Sequence, residues 1–169
     1  MQLTAILLVL SGTMAAAPAW TPAKFRGLVV GSARRADVVR VLGSPDSDTQ
    51  DGKGETLTYK SGGDHKGSLT IAVNRQGIVV EIQEAFPVSI PRTQIYKEFG
   101  KDALTAHFSQ ATCAGRSLYR DPKGNVELTL FPARGIAVWA DQYGYDFAAI
   151  QYVARFPGLA RKPSCTTPR

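Results

Sequence analysis

Residues 31–43 read GSARRADVVRVLG and residues 89–100 read SIPRTQIYKEFG, and the fold turns on these two stretches and the strand-like runs behind them. In the first, Val38, Val41 and Leu42 fall at i, i+3 and i+4 ahead of Gly43. In the second, Ile95, Tyr96 and Phe99 precede Gly100. That spacing lays one apolar stripe along a short helix, and a glycine just past the stripe ends it as a C-cap. Ser32 suits the N-cap of the first helix. The strand-like runs come next. ETLTYK (55–60), GSLTIAV (67–73) and IVVEIQEAFP (78–87) succeed the first helix; VELTLF (126–131), GIAVWAD (135–141) and AAIQYVARFP (148–157) succeed the second. These runs are β-branched and partly alternating. Turn signals separate them, at Asn74-Arg75-Gln76-Gly77 and at Tyr143-Gly144-Tyr145.

The two halves therefore read as one unit used twice, each ending on Phe-Pro. The expected fold is α+β, a tandem of helix plus antiparallel-sheet units with the helices packed on one face of the sheet. The first unit covers residues 20–87 and the second 88–157, with a tail over 158–169. The second half carries an insert with an expected helix from Asp102 to Phe108 and an expected edge strand from Ser117 to Arg120.

The string Gly31-Ser32-x4-Asp37-Val38-x3-Leu42-Gly43-x-Pro45 resembles the helical half of SmpA/OmlA-type envelope proteins, and Thr56 through Phe86 is similar to their strand half. A tandem of such units resembles the β-lactamase inhibitory protein family. The resemblance covers about residues 27–157. It implies helices on one face of an antiparallel sheet and a second face free to bind a partner. The chain departs from the envelope lipoproteins in having no lipidated cysteine after its apolar leader, which argues against outer-membrane anchoring. No residue here matches a β-lactamase-contacting position, so inhibition of that enzyme is not implied.

The start of the chain reads as a signal peptide over residues 1–19. Leu3 to Leu10 is apolar apart from Thr4, and small residues run on through Ala19. Cleavage after Ala17 would leave Pro18 first, so the cut is placed after Ala19. The apolar run falls short of the ~20 residues a bilayer core needs, and no later stretch is long and apolar enough. The expected location is periplasmic or secreted.

The chain has 169 residues and a net charge of +6, with its basic residues scattered rather than blocked. Scattered charge speaks for solubility; nucleic-acid binding needs a basic stripe with interleaved aromatics. Cys113 and Cys165 are an even pair in an oxidising compartment, which suggests a disulfide tying down the tail. The loop-entropy estimate for such a link is about 4 kcal/mol.

Groups for chemistry are thin. His65 reads as a hairpin-tip residue and His107 as a late residue of a short helix. Asp46, Asp48 and Asp51 lack the EF-hand pattern and read as a solvated loop. No G-x-S-x-G, H-E-x-x-H or P-loop occurs. The sequence thus points away from an enzyme, with no cofactor and no metal. Alternation points to a binding surface instead. Ile136, Val138 and Ala140 share a face, leaving Trp139 and Asp141 on the other. Val126, Leu128 and Leu130 oppose Glu127, Thr129 and Phe131. With the apolar sets turned to the helices, Trp139, Phe131, Glu127, Asp141 and Tyr143 form the expected protein-binding patch. The leading expectation is a non-catalytic exported protein-binding or envelope-assembly module; the alternative is a secreted inhibitor of an extracytoplasmic enzyme.

Overall fold

The computed structural model describes residues 20–61, 67–108, 126–140 and 146–153. From residue 20 the described chain runs through an arm and a two-stranded hairpin, β1 (Lys24–Phe25) and β2 (Leu28–Val29). Helix α1 (Arg35–Leu42) leads into β3 (Ser47–Asp51), β4 (Gly54–Tyr59), β5 (Ser68–Asn74) and β6 (Val79–Pro91). Helix α2 (Arg92–Phe99) leads into β7 (Leu104–Phe108), β8 (Val126–Phe131), β9 (Ile136–Ala140) and β10 (Asp146–Val153). A single 3-10 turn, Pro132–Arg134, joins β8 to β9.

Strands β3 to β10 form one eight-stranded antiparallel sheet in the order β3-β4-β5-β6-β10-β9-β8-β7. This corrects the expected tandem of α+β units. The described residues are sheet-dominated, with two helices of eight residues each against that sheet. No gap divides the strand runs, because β6 is thirteen residues long and pairs with β10 from Glu81↔Val153 to Pro91↔Asp146. The helical stripes are legible in the string, but a stripe of eight residues covers too little of such a sheet to make each half a balanced two-layer unit.

Local signals explain the elements. In α1, Val38 is buried and Leu42 packs against the core, while Val41 is exposed. The cap is Arg34, not Ser32: the Arg34 N–H donates to Asp37 Oδ2 at 2.9 Å, and the Ser32 hydroxyl donates to Val29 O. Gly43 closes the helix through its N–H to Val39 O. The Tyr59 hydroxyl donates to Gly43 O (3.1 Å), and the Arg35 Nε donates to Glu55 at 2.7 Å, so both ends of α1 are tied to β4. The β5–β6 turn is held by Asn74 Oδ1, which accepts the N–H groups of Gln76 and Ile78, each at 3.0 Å.

The expected helix from Asp102 to Phe108 is instead strand β7, in register with β8 from Leu104↔Leu130 to Phe108↔Val126. Leu104 and Phe108 suit a helix stripe and a strand face equally, and the open edge of β8 decides between them. The acidic stretch expected as loop is β3, whose five residues are all exposed along the sheet edge.

The main core lies between the helices and the sheet, with Val38, Leu57, Ile71, Ile82 and Ile95 at its centre. A second cluster, Leu128, Leu130, Ala137, Trp139 and Ala149, fills the opposite face of the second half, with Trp20 packed against it. Among the described residues no helix is long and apolar enough to cross a membrane.

Candidate functional site

Of the expected aromatic patch, the two described rings, Trp139 and Phe131, are not brought together. Trp139 is 3 % exposed, and its indole N–H donates to Gln151 Oε1 at 3.3 Å. Phe131 is 2 % exposed and lies on the other face of the sheet, its ring 6.1 Å from that of Tyr96 and 5.6 Å from that of Phe99. The β8–β9 register is the reason. Leu128 stands opposite Trp139 and Leu130 opposite Ala137, so Leu128 and Leu130 share the Trp139 side; Phe131 stands opposite Ile136 and faces the helices. Each strand alternates as expected, but the phase between the two strands is the reverse of the expected one. Glu127 sits in β8 opposite His107. Asp141 and Tyr143 lie outside the described residues, as do Cys113, Cys165, His65, the signal segment over 1–19, the edge strand expected from Ser117 to Arg120, and the tail over 158–169.

A concave feature of the described structure lies elsewhere, on the helix side. A cleft of about 610 Å³ opens between the N-terminal arm, α2 and the sheet. That volume falls within the ~300–1,000 Å³ usual for ligand sites. Its arm wall is fixed by backbone bonds: Thr21 N–H donates to Pro132 O (2.8 Å), Ala23 N–H to Val153 O (3.1 Å), and Val30 N–H to Ala23 O (2.9 Å). Phe25 and Tyr152 meet ring to ring at 4.9 Å beneath it. The opposite wall is α2, which presents Gln94, Glu98 and Phe99; β6 adds Glu84, Phe86 and Ile90.

The lining combines apolar side chains with the buried Glu84 and Tyr152, and exposed charges border it. Phe25, Phe86, Ile90, Phe99, Ile136 and Ile150 supply the apolar part, and Lys24, Arg26, Glu98 and Arg134 are exposed around it. Arg26 lies over the Phe25 ring, 5.7 Å from its centroid. Arg134 is held in place by its Nε–H, which donates to Phe99 O at 3.1 Å. Glu84 is 8 % exposed and accepts the Gly67 N–H at 3.3 Å. Burial, with the Glu84 and Glu98 carboxylates adding to it, holds the Tyr152 phenol well above the usual tyrosine range. The phenol thus stays protonated, a donor throughout the physiological range.

The alternation that points to Trp139 gives no hint of this cleft, yet one signal for it is present in the string. Ile82, Glu84 and Phe86 fall in one alternating set of β6, and Glu84 pairs with Leu69 and Ile150 of the main core. A carboxylate in a core-facing phase requires a local reason. Nothing in the string marks the arm at 20–26 as a wall, because its place is set by contacts with Pro132 and Val153, far along the chain.

Among the described residues no three His, Cys, Asp or Glu side chains converge as metal ligands. The charged mouth and apolar floor repeat the anatomy of binding surfaces, with a desolvated centre and a polar rim.

Fold and cleft together define a sheet-dominated domain with a concave helix side. No protein-family model matches the chain, and no curated protein matches it. Among solved structures the chain is similar to the crystal structure of an extracellular protein containing an SCP domain from Bacillus anthracis str. Ames, at 14% identity and a TM-score of 0.49. The similarity covers 87% of this chain and 50% of the other, so this chain spans half the length of that structure. A likeness at that level transfers neither family nor activity.

Proposed function

We propose that this chain is an exported, non-catalytic binding module that meets a protein partner at the cleft between its N-terminal arm, α2 and the sheet. The observation that carries the reading is the cleft itself, with an apolar floor, a buried carboxylate and cations around the mouth. Export rests on the apolar leader and small-residue cleavage pattern of residues 1–19, which direct the mature chain to the periplasm or the medium. In that compartment Cys113 and Cys165 are read as a disulfide. The scattered basic residues give no reason to assign a nucleic-acid partner, and the reading includes no cofactor.

The test is site-directed photo-cross-linking with the mature protein in envelope and culture fractions. One probe replaces Gln94 on the rim, and a second replaces Thr70 on the opposite sheet face. One defined protein captured from Gln94, absent from Thr70 and lost on Phe99→Ala, supports the reading. Equal capture from both positions, or none from Gln94, refutes it. Mass mapping of non-reduced peptides tests the disulfide; two free thiols would remove it.

A further inference from the structure

We infer that the cleft takes the C-terminal end of a peptide, its terminal carboxylate held by Lys24 and Arg134 and its last apolar side chain on the floor beside Phe99. This rests on the binding function proposed for the cleft and names the segment of the partner that enters. The two cations come from neighbouring segments. The Thr21 N–H bonds Pro132 O (2.8 Å), which sets the arm that carries Lys24 alongside the turn that carries Arg134. Both side chains are exposed at the mouth, and among the described residues neither makes an ion pair. The guanidinium of Arg134 is oriented by its Nε–H bond to Phe99 O, which places a fixed cation beside an apolar ring.

Charge and shape together select this occupant. A guanidinium and an ammonium suit a carboxylate, which they bind by charge-assisted hydrogen bonds. Phe99, the residue whose carbonyl holds Arg134, is also an apolar member of the lining. Only the last residue of a peptide joins its carboxylate and its side chain at one Cα; an internal Asp or Glu uses its side chain for the charge and leaves the floor to a neighbour. Two carboxylates share the cleft, the buried Glu84 of β6 and the exposed Glu98 of α2, and they oppose further acids upstream of the terminus, so a uniformly acidic tail is disfavoured.

The experiment immobilises the mature protein and passes two pools of six-residue peptides over it. The last two positions vary over Leu, Ile, Val, Phe and Met; one pool ends in a free carboxylate and the other in an amide. The free-acid pool is expected to be retained about tenfold better than the amide pool at low salt, the effect of one charge-assisted contact. The preference should fall in Lys24→Ala and in Arg134→Ala, each checked by thermal unfolding, and should weaken at high salt. Equal retention of the two pools, or no retention of either, overturns the inference. Retention of free phenylpropionate as strong as that of the acid pool also overturns it, by showing a small-acid site. If Gln94 still captures one protein while the pools fail, the binding reading stands and the C-terminus assignment alone falls.

Discussion

Replacing Gly135 with alanine should release the arm that walls the cleft. Gly135 has φ +67, in the left-handed region, and a Cβ built on it would lie 2.3 Å from Thr21 O and 2.4 Å from Ala23 N. The neighbours are backbone, so they can yield only by moving the arm. The left-handed conformation alone costs about 1 kcal/mol for alanine. Displacing the arm breaks the Thr21–Pro132 and Ala23–Val153 bonds, each contributing about 1 kcal/mol net. Gly77 provides the matched control, with φ +75 and nothing within 4 Å of a built Cβ. Gly77→Ala should therefore cost about 1 kcal/mol and Gly135→Ala about 3 kcal/mol. At roughly 2–4 °C per kcal/mol for a chain of this size, the two melting temperatures should differ by about 4–8 °C. Thermal unfolding measures the difference, and hydrogen exchange at the Thr21 and Ala23 amides measures the release. Equal melting temperatures with both amides still protected in Gly135→Ala would show that the arm accommodates the added methyl without moving.

Three further outcomes are expected of individual side chains. Trp139→Ala should destabilise by about 3–5 kcal/mol in denaturant unfolding, because it empties a buried site; a loss within about 0.5 kcal/mol would mean an exposed indole. Asp37, held below the usual carboxylate range first by the Arg34 N–H and then by Arg40, contributes stability that is present above its unfolded pKa, about 3.9, and is lost as pH falls through the lower folded value. Asp37→Asn should accordingly lose less stability than the parent between pH 5 and pH 2, and an identical acid profile would contradict this. Tyr152, raised by burial, keeps its proton in the folded state after an unfolded tyrosine has released it near pH 10. Stability should fall as pH rises above that value, and Tyr152→Phe should remove part of the fall; ultraviolet titration of the folded parent should show one phenol that resists ionisation.

The sequence carries the local structure well where a residue's own chemistry decides it. Asn74 and Gly77 mark a turn because the Asn side chain replaces backbone acceptors, and Gly43 and Gly100 mark helix ends through N–H bonds to Val39 and Tyr96. It fails where the partner decides. Leu104 to Phe108 is a strand because β8 offers an open ladder. Phe131 and Trp139 part because register between two strands is not contained in the alternation of either. The tandem of α+β units gives way to one sheet because the β6–β10 pairing joins stretches that the string keeps far apart. The cleft is illegible for the same reason, apart from the misplaced charge of Glu84.

That central pairing also sets an order of events during synthesis. Strand β6 is complete at Pro91, whereas the strand that covers its flank is not made until Val153. Until then the growing chain carries an open ladder in the middle of its future sheet, a template that other extended chains can join. Non-local pairing of this kind is also slow to form, because the loop must close before any contact repays it. Between Phe147↔Ile90 and Ala149↔Ala85, residues 86–89 stand opposite Ala148 alone, with Pro87 and Val88 exposed. A proline in this stretch, unable to donate to a ladder, breaks the run where a stray strand would otherwise extend it. The seam that unites the sheet is thus also the place where the nascent protein is most open to the wrong partner, and the irregularity in β6 limits how far such an association can spread.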